Sequence, residues 1–148
     1  MYIYLLFIHI LSSVIAIVAV ICYPLIMSSV RTVGQAKFGL KPLKKIAILP
    51  KIGGTLLLVT GLTLGFQHTD LYKEPWYWLS IAIFFVILVI LAVLLPSGIK
   101  QQLSLLQQTQ GDTLPDTYRR SRRRSLWLEG VANLAVFITI FLMVFKPF

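Results

Sequence analysis

The chain has 148 residues, 57% hydrophobic and only 13% charged, with a formal net charge of +9. Soluble domains carry about 25% charged residues, so the composition excludes an ordinary water-soluble domain. The basic excess lies between apolar runs, where it sets membrane topology rather than binding nucleic acid, and the length suits one integral membrane domain over residues 1–148.

The first span covers about residues 2–27, more than the ~20 residues a bilayer crossing needs. No positive charge precedes it and Arg31 follows it. A cleavable signal peptide shows the opposite bias, so a retained helix with its N-terminus outside is expected. Cys22 is the only cysteine, which excludes an intramolecular disulfide. Ile21 before it does not suit a lipoprotein cleavage site, so Cys22 reads as a small buried apolar residue. His9, Ser12, Ser13, Ala16 and Ala19 share one face, which is expected to meet the second helix.

Residues 28–51 form a cytoplasmic connection broken by Gly34, Gly39 and Pro42. The stretch from Pro42 to Pro50 begins the second helix early, with a kink at Pro50. The second span, about residues 52–68, is rich in small and polar residues. Lys51, Gly54, Leu58, Gly61, Gly65 and His68 fall on one stripe. Gly61 and Gly65 form a GxxxG pair, and Gly53 and Gly54 make a second narrow place where another backbone can approach. The bundle is expected to pack through this helix.

A short, nearly neutral outer turn follows, and Trp76, Tyr77 and Trp78 make an interfacial aromatic belt. The third span, about residues 76–95, ends at Pro96, Ser97 and Gly98. It should present the largest surface to lipid. In the second cytoplasmic connection, residues 96–125, Ile99, Leu103 and Leu106 predict an amphipathic helix along the inner membrane surface. The fourth span covers about residues 126–145.

The charges fix the topology. Each cytoplasmic connection holds six of the fourteen lysines and arginines, leaving Lys73 and Lys146 outside. The expected fold is all-α, a four-transmembrane-helix bundle in the plasma membrane with both termini on the outer side.

Few residues inside the spans can carry chemistry. A charge at the helix centre costs about 2.5–3.5 kcal/mol on insertion scales, so each one needs a reason. His9 lies about 10 Å below the outer surface at 1.5 Å per residue, and His68 lies near the outer end of span two. Neutral imidazole suits haem iron or copper, so His9 is a candidate cofactor and metal ligand, with His68 as a cofactor-binding partner. The bland reading is an interhelical hydrogen bond for His9 and an interfacial side chain for His68. Glu129 and Asn133 share a face one turn apart, and Lys51 enters from the same side. These three are expected to form an intramembrane polar network, either as glue between helices or as a proton or substrate relay. Arg119, Arg120, Arg122, Arg123 and Arg124 read as an anchor on anionic lipid headgroups. There is no CxxC, HExxH, phosphate-binding glycine loop or nucleophile elbow.

The segments LLFIHILSS, KIGGTLLLVTGLTLG, the tryptophan-bearing turn and the closing FLMVFKPF resemble a family of uncharacterised bacterial four-helix integral membrane proteins. That family is distantly similar to the membrane domain of the copper-resistance protein CopD and to the haem-biosynthetic protein HemJ. The HemJ likeness implies haem b at His9 and gives Lys146 a counterpart in its KP-type ending. This chain lacks the further membrane histidines of that group.

The leading expectation is a non-enzymatic or cofactor-poor plasma-membrane protein packed through its second span, its role not legible from its residues. The alternative is a haem-handling or, less favoured, copper-handling protein using His9 and His68. A third reading is a small oligomeric transporter. Expected partners are anionic lipids, with a second copy or another membrane protein, and no nucleic acid.

Overall fold

A computed structural model describes residues 1–148 as six α-helices with no strand. Helix α1 (Tyr2–Ser28) is uncharged throughout. Its 27 residues reach about 40 Å, beyond the ~30 Å hydrocarbon core. Helices α2 (Val33–Ile46) and α3 (Ile48–Gln67) run back along it as one bent rod. A 3₁₀ turn (Thr69–Lys73) leads to α4 (Pro75–Val89). A π turn (Ile90–Leu94) joins α4 to α5 (Leu95–Gln107), and α6 (Asp116–Phe145) closes the bundle. This gives four long apolar rods, enough to cross a membrane four times. Both termini therefore lie at one end, with the aromatic residues of the 3₁₀ turn. The opposite end carries the exposed Lys41, Lys44, Lys45, Arg119 and Arg123. We call these the aromatic end and the basic end.

Each expected span falls on one of these rods, but the connections are far more helical than the glycines and prolines predict. Thr32 caps α2 by accepting a hydrogen bond from the Gln35 backbone N–H at 3.3 Å. Ala36, Leu40 and Leu43 then recur at helical spacing and are buried. Gly39 does not break this helix. It lets α2 settle on α1, where an added Cβ would lie 3.3 Å from Ile26. Pro50 has no N–H to give the Ile46 carbonyl, and the rod bends at Ala47.

Pro96, Ser97 and Gly98 do not end the third span either. Pro96 cannot donate to the Ala92 carbonyl. The turn before it widens, so that the Leu95 N–H bonds the Ile90 carbonyl five residues back. A π turn of this kind carries a helix through a proline. Helix α5 consequently continues the rod instead of lying along the membrane surface. Its apolar face is the one expected, but Ile99 and Leu106 are buried against protein.

Packing differs along the rods. The basic end holds the larger buried cluster, with Leu40, Leu43, Ile99 and Leu106 at its centre. A second cluster crosses the middle through Val20, Ile87, Leu91 and Ala132. Toward the aromatic end α1 packs on α3 and α4 packs on α6, while the backbones of α3 and α4 stay apart and meet only through side chains.

Candidate functional site

The separation of the two pairs leaves a cleft of about 420 Å³ between α1–α3 and α4–α6, in the half of the bundle nearer the aromatic end. Its walls are mostly hydrocarbon, including Ile17, Leu58, Phe84 and Val136. Its floor is the middle cluster, where Val20 of α1 and Ala132 of α6 come together. Above that floor the α1–α6 side is open. Ile10, Ile140 and Val144 line the cleft yet remain 54%, 45% and 66% exposed.

His9 is the one ionisable side chain of the spans that lines the cleft, apart from the Tyr77 phenol. Its Nδ1 lies 2.8 Å from Thr60 Oγ1. The Thr60 hydroxyl itself donates to the Leu56 carbonyl at 2.7 Å. Thr60 therefore accepts from His9, which places the ring proton on Nδ1 and leaves the Nε2 lone pair free. Gly61 makes room for the ring, since an added Cβ would lie 3.4 Å from His9 Cε1.

The glycines of α3 divide their work. Gly53 is the tight backbone crossing: a Cβ there would meet Ser12 O at 3.0 Å and Ala16 N at 3.1 Å. This is the contact expected between the small face of α1 and span two. Gly54 faces Leu88 and Phe84 of α4. Gly61 and Gly65 do not form a GxxxG backbone crossing. They accommodate the side chains of His9 and of Tyr77 and Tyr72, and the Tyr77 hydroxyl donates to the Gly61 carbonyl at 3.3 Å.

His68 does not join His9. It is exposed at the aromatic end, edge-on to Tyr2 with ring centroids 5.1 Å apart. Eight residues of helix separate it from Thr60, the partner of His9, which is about 12 Å. The donor set does not fit a protein-held copper ion, because no three metal-ligating side chains converge and Met27 lies in the basic-end cluster. Haem needs one axial nitrogen and apolar walls, and the cleft supplies both.

The expected Lys51–Glu129 pair is not formed. Lys51 is exposed, and Glu129 Oε1 accepts from Arg122 Nη1 at 2.5 Å, two turns away on the same helix. A guanidinium on α6 itself reaches the carboxylate without the detour that α3 would require. Asn133 donates to the Glu129 backbone carbonyl at 2.8 Å and does not bridge the carboxylate. The five arginines thus divide. Arg119, Arg120, Arg123 and Arg124 are exposed, while Arg122 turns inward and stacks over the Tyr23 ring at 5.1 Å. Sequence reasoning missed this inward arginine. Its signal is the spacing Tyr118, Arg122, Ser125, Glu129, one face of a helix that begins ten residues before the apolar run.

No curated protein matches the chain, and no solved structure matches it. The model of one family, described as predicted integral membrane protein (DUF2269), matches residues 3–147. That agrees with four apolar rods and with the four-helix membrane family that the sequence resembles. On a match of that extent, the chain belongs to the DUF2269 family of predicted integral membrane proteins.

Proposed function

We propose that the protein is a multi-pass plasma-membrane protein, with both termini outside, that binds a hydrocarbon-chain ligand in its cleft. The observation that carries this reading is a 420 Å³ space with apolar walls, open between α1 and α6 to the surrounding lipid. Apolar sites of this size, with a few polar groups, are where small ligands bind. His9 Nε2 is the acceptor that meets the ligand's one polar donor. The orientation rests on the basic end, whose exposed Arg119, Arg120, Arg123 and Arg124 suit an anionic cytoplasmic leaflet.

Trp76 reports on the cleft because it lines it, whereas Trp78 and Trp127 are exposed. In a variant retaining only Trp76, a chain-brominated long-chain alcohol, whose hydroxyl is the one polar donor, should quench its fluorescence saturably in detergent. Ser13→Phe, which fills the cleft, should abolish that saturation. Quenching that rises linearly in both proteins would contradict the reading.

A second reading is favoured by the fixed tautomer of His9. A histidine whose Nδ1 is held by a hydrogen bond presents Nε2 as an axial ligand, and haem bound there would supply redox chemistry at iron. After expression in a haem-sufficient host, this reading predicts a Soret band that is lost in folded His9→Ala. A colourless protein that stays colourless when offered haem would exclude it.

A further inference from the structure

Four buried side-chain polar atoms lack a hydrogen-bond partner: Tyr23 Oη, Gln102 Oε1, Tyr118 Oη and Glu129 Oε2. All four gather in one place at the basic end, where Tyr23 lies beside Tyr118, Arg122, Ser125 and Glu129. Gln102 donates through Nε2 to Ser125 Oγ at 3.0 Å, the Tyr23 ring lies under Arg122, and Arg122 holds Glu129. The side chains are almost wholly enclosed, with Gln102 at 0%, Tyr118 at 2%, Glu129 at 3% and Tyr23 at 4% exposure. An unbonded buried polar atom is destabilising, and native proteins contain few of them. Four in one cluster are more than chance packing leaves.

The chemistry selects the missing partner. Arg122 and Glu129 cancel, so the cluster has no net charge with which to favour an ion of either sign. The unmet groups are mixed, with two hydroxyls able to donate or accept and two oxygens that only accept. Water satisfies such a set, and buried waters typically make about three hydrogen bonds to otherwise unsatisfied groups. Arg122 is the route in, since its side chain keeps 11% of its surface exposed at the edge of the cluster.

We propose that Tyr23, Gln102, Tyr118, Arg122, Ser125 and Glu129 enclose a hydrated pocket at the basic end. It lies beneath the apolar layer of Val20, Ile87, Leu91 and Ala132 that floors the cleft. Glu129 and the cleft-lining Val136 are seven residues apart on α6, about 10 Å. The protein thus holds a lipid-facing cleft and an aqueous pocket on opposite sides of one thin apolar septum. This inference does not depend on what the cleft binds.

The test uses Ser125→Cys in a Cys22→Ala background, with a small hydrophilic methanethiosulfonate applied to either face of sealed vesicles. Thr113→Cys, on the exposed loop before α6, serves as the reference for the basic-end face. The proposal predicts that Ser125→Cys is modified from the same face as Thr113→Cys, whichever face that is. A folded Ser125→Cys protein modified from neither face, or only from the opposite one, would overturn it. If that variant does not fold, Tyr118→Phe decides. Removing a water-bonded hydroxyl should lower Tm by about 2–4 °C. An unchanged or raised Tm means the hydroxyl is a dry orphan and the proposal fails.

Discussion

The two halves of this bundle solve the same packing problem differently. At the basic end, apolar side chains from α1, α2, α5 and α6 interlock until Leu40 and Leu106 have no exposed surface. At the aromatic end the same four rods separate into two pairs and leave a 420 Å³ gap. Composition does not explain the contrast, since the half with the gap is the more hydrophobic one. In water, apolar surface drives closure. In lipid that drive is absent, and helices close only where small residues or polar bonds hold them. Gly53 against Ser12 and Ala16 holds α1 to α3, and nothing comparable draws α1 to α6 above Val20. A cleft can therefore persist in the membrane, while the folded state is secured at the basic end.

This comparison can be broken most sharply at Arg122–Glu129. Replacing either partner alone, by Arg122→Met or Glu129→Leu, should cost about 3–5 kcal/mol, because it leaves a buried charge unpaired. The double variant should regain most of that loss, as read from folded yield and Tm. Core truncation comes next. Leu40→Ala should cost about 2–5 kcal/mol, while Leu58→Ala on the cleft wall should cost less than about 1 kcal/mol and reduce ligand binding instead. Parallel thermal melts would show whether the basic end really carries the stability. A smaller effect is expected at Gly53→Ala, about 1–3 kcal/mol, because the new methyl meets backbone atoms. The same change at Gly130, with nothing within 4 Å, should be neutral or slightly stabilising. Smallest of all, His68→Ala should change stability by no more than about 0.5 kcal/mol, as surface substitutions do. His9→Ala should spare the fold and remove the cleft's polar recognition, as measured by ligand binding.

The four-helix fold was legible because span length and charge partition are strong signals, and the α1–α3 contact followed from helical spacing. The intramembrane partners were not legible. Glu129 could reach a cation on either of two helices, and only the early start of α6 at Asp116 puts Arg122 two turns away on the same face. The helical connections were hidden because Gly39 and Pro96 read as breaks. In the structure one is a contact surface and the other is carried by a π turn. The cleft was invisible in principle. A run such as Leu57–Leu58 has the same pattern whether it faces lipid, a neighbouring helix or a gap.

The central claim is that the cleft holds a hydrocarbon-chain ligand. Native mass spectrometry of the protein released from mild detergent, beside the cleft-filled Ser13→Phe variant, tests it most directly. The account predicts a discrete adduct of lipid mass on the wild-type protein that Ser13→Phe loses while remaining folded. Identical adduct patterns on the two proteins would contradict it, since the bound lipid would then lie on the outer surface and the cleft would be only a packing gap.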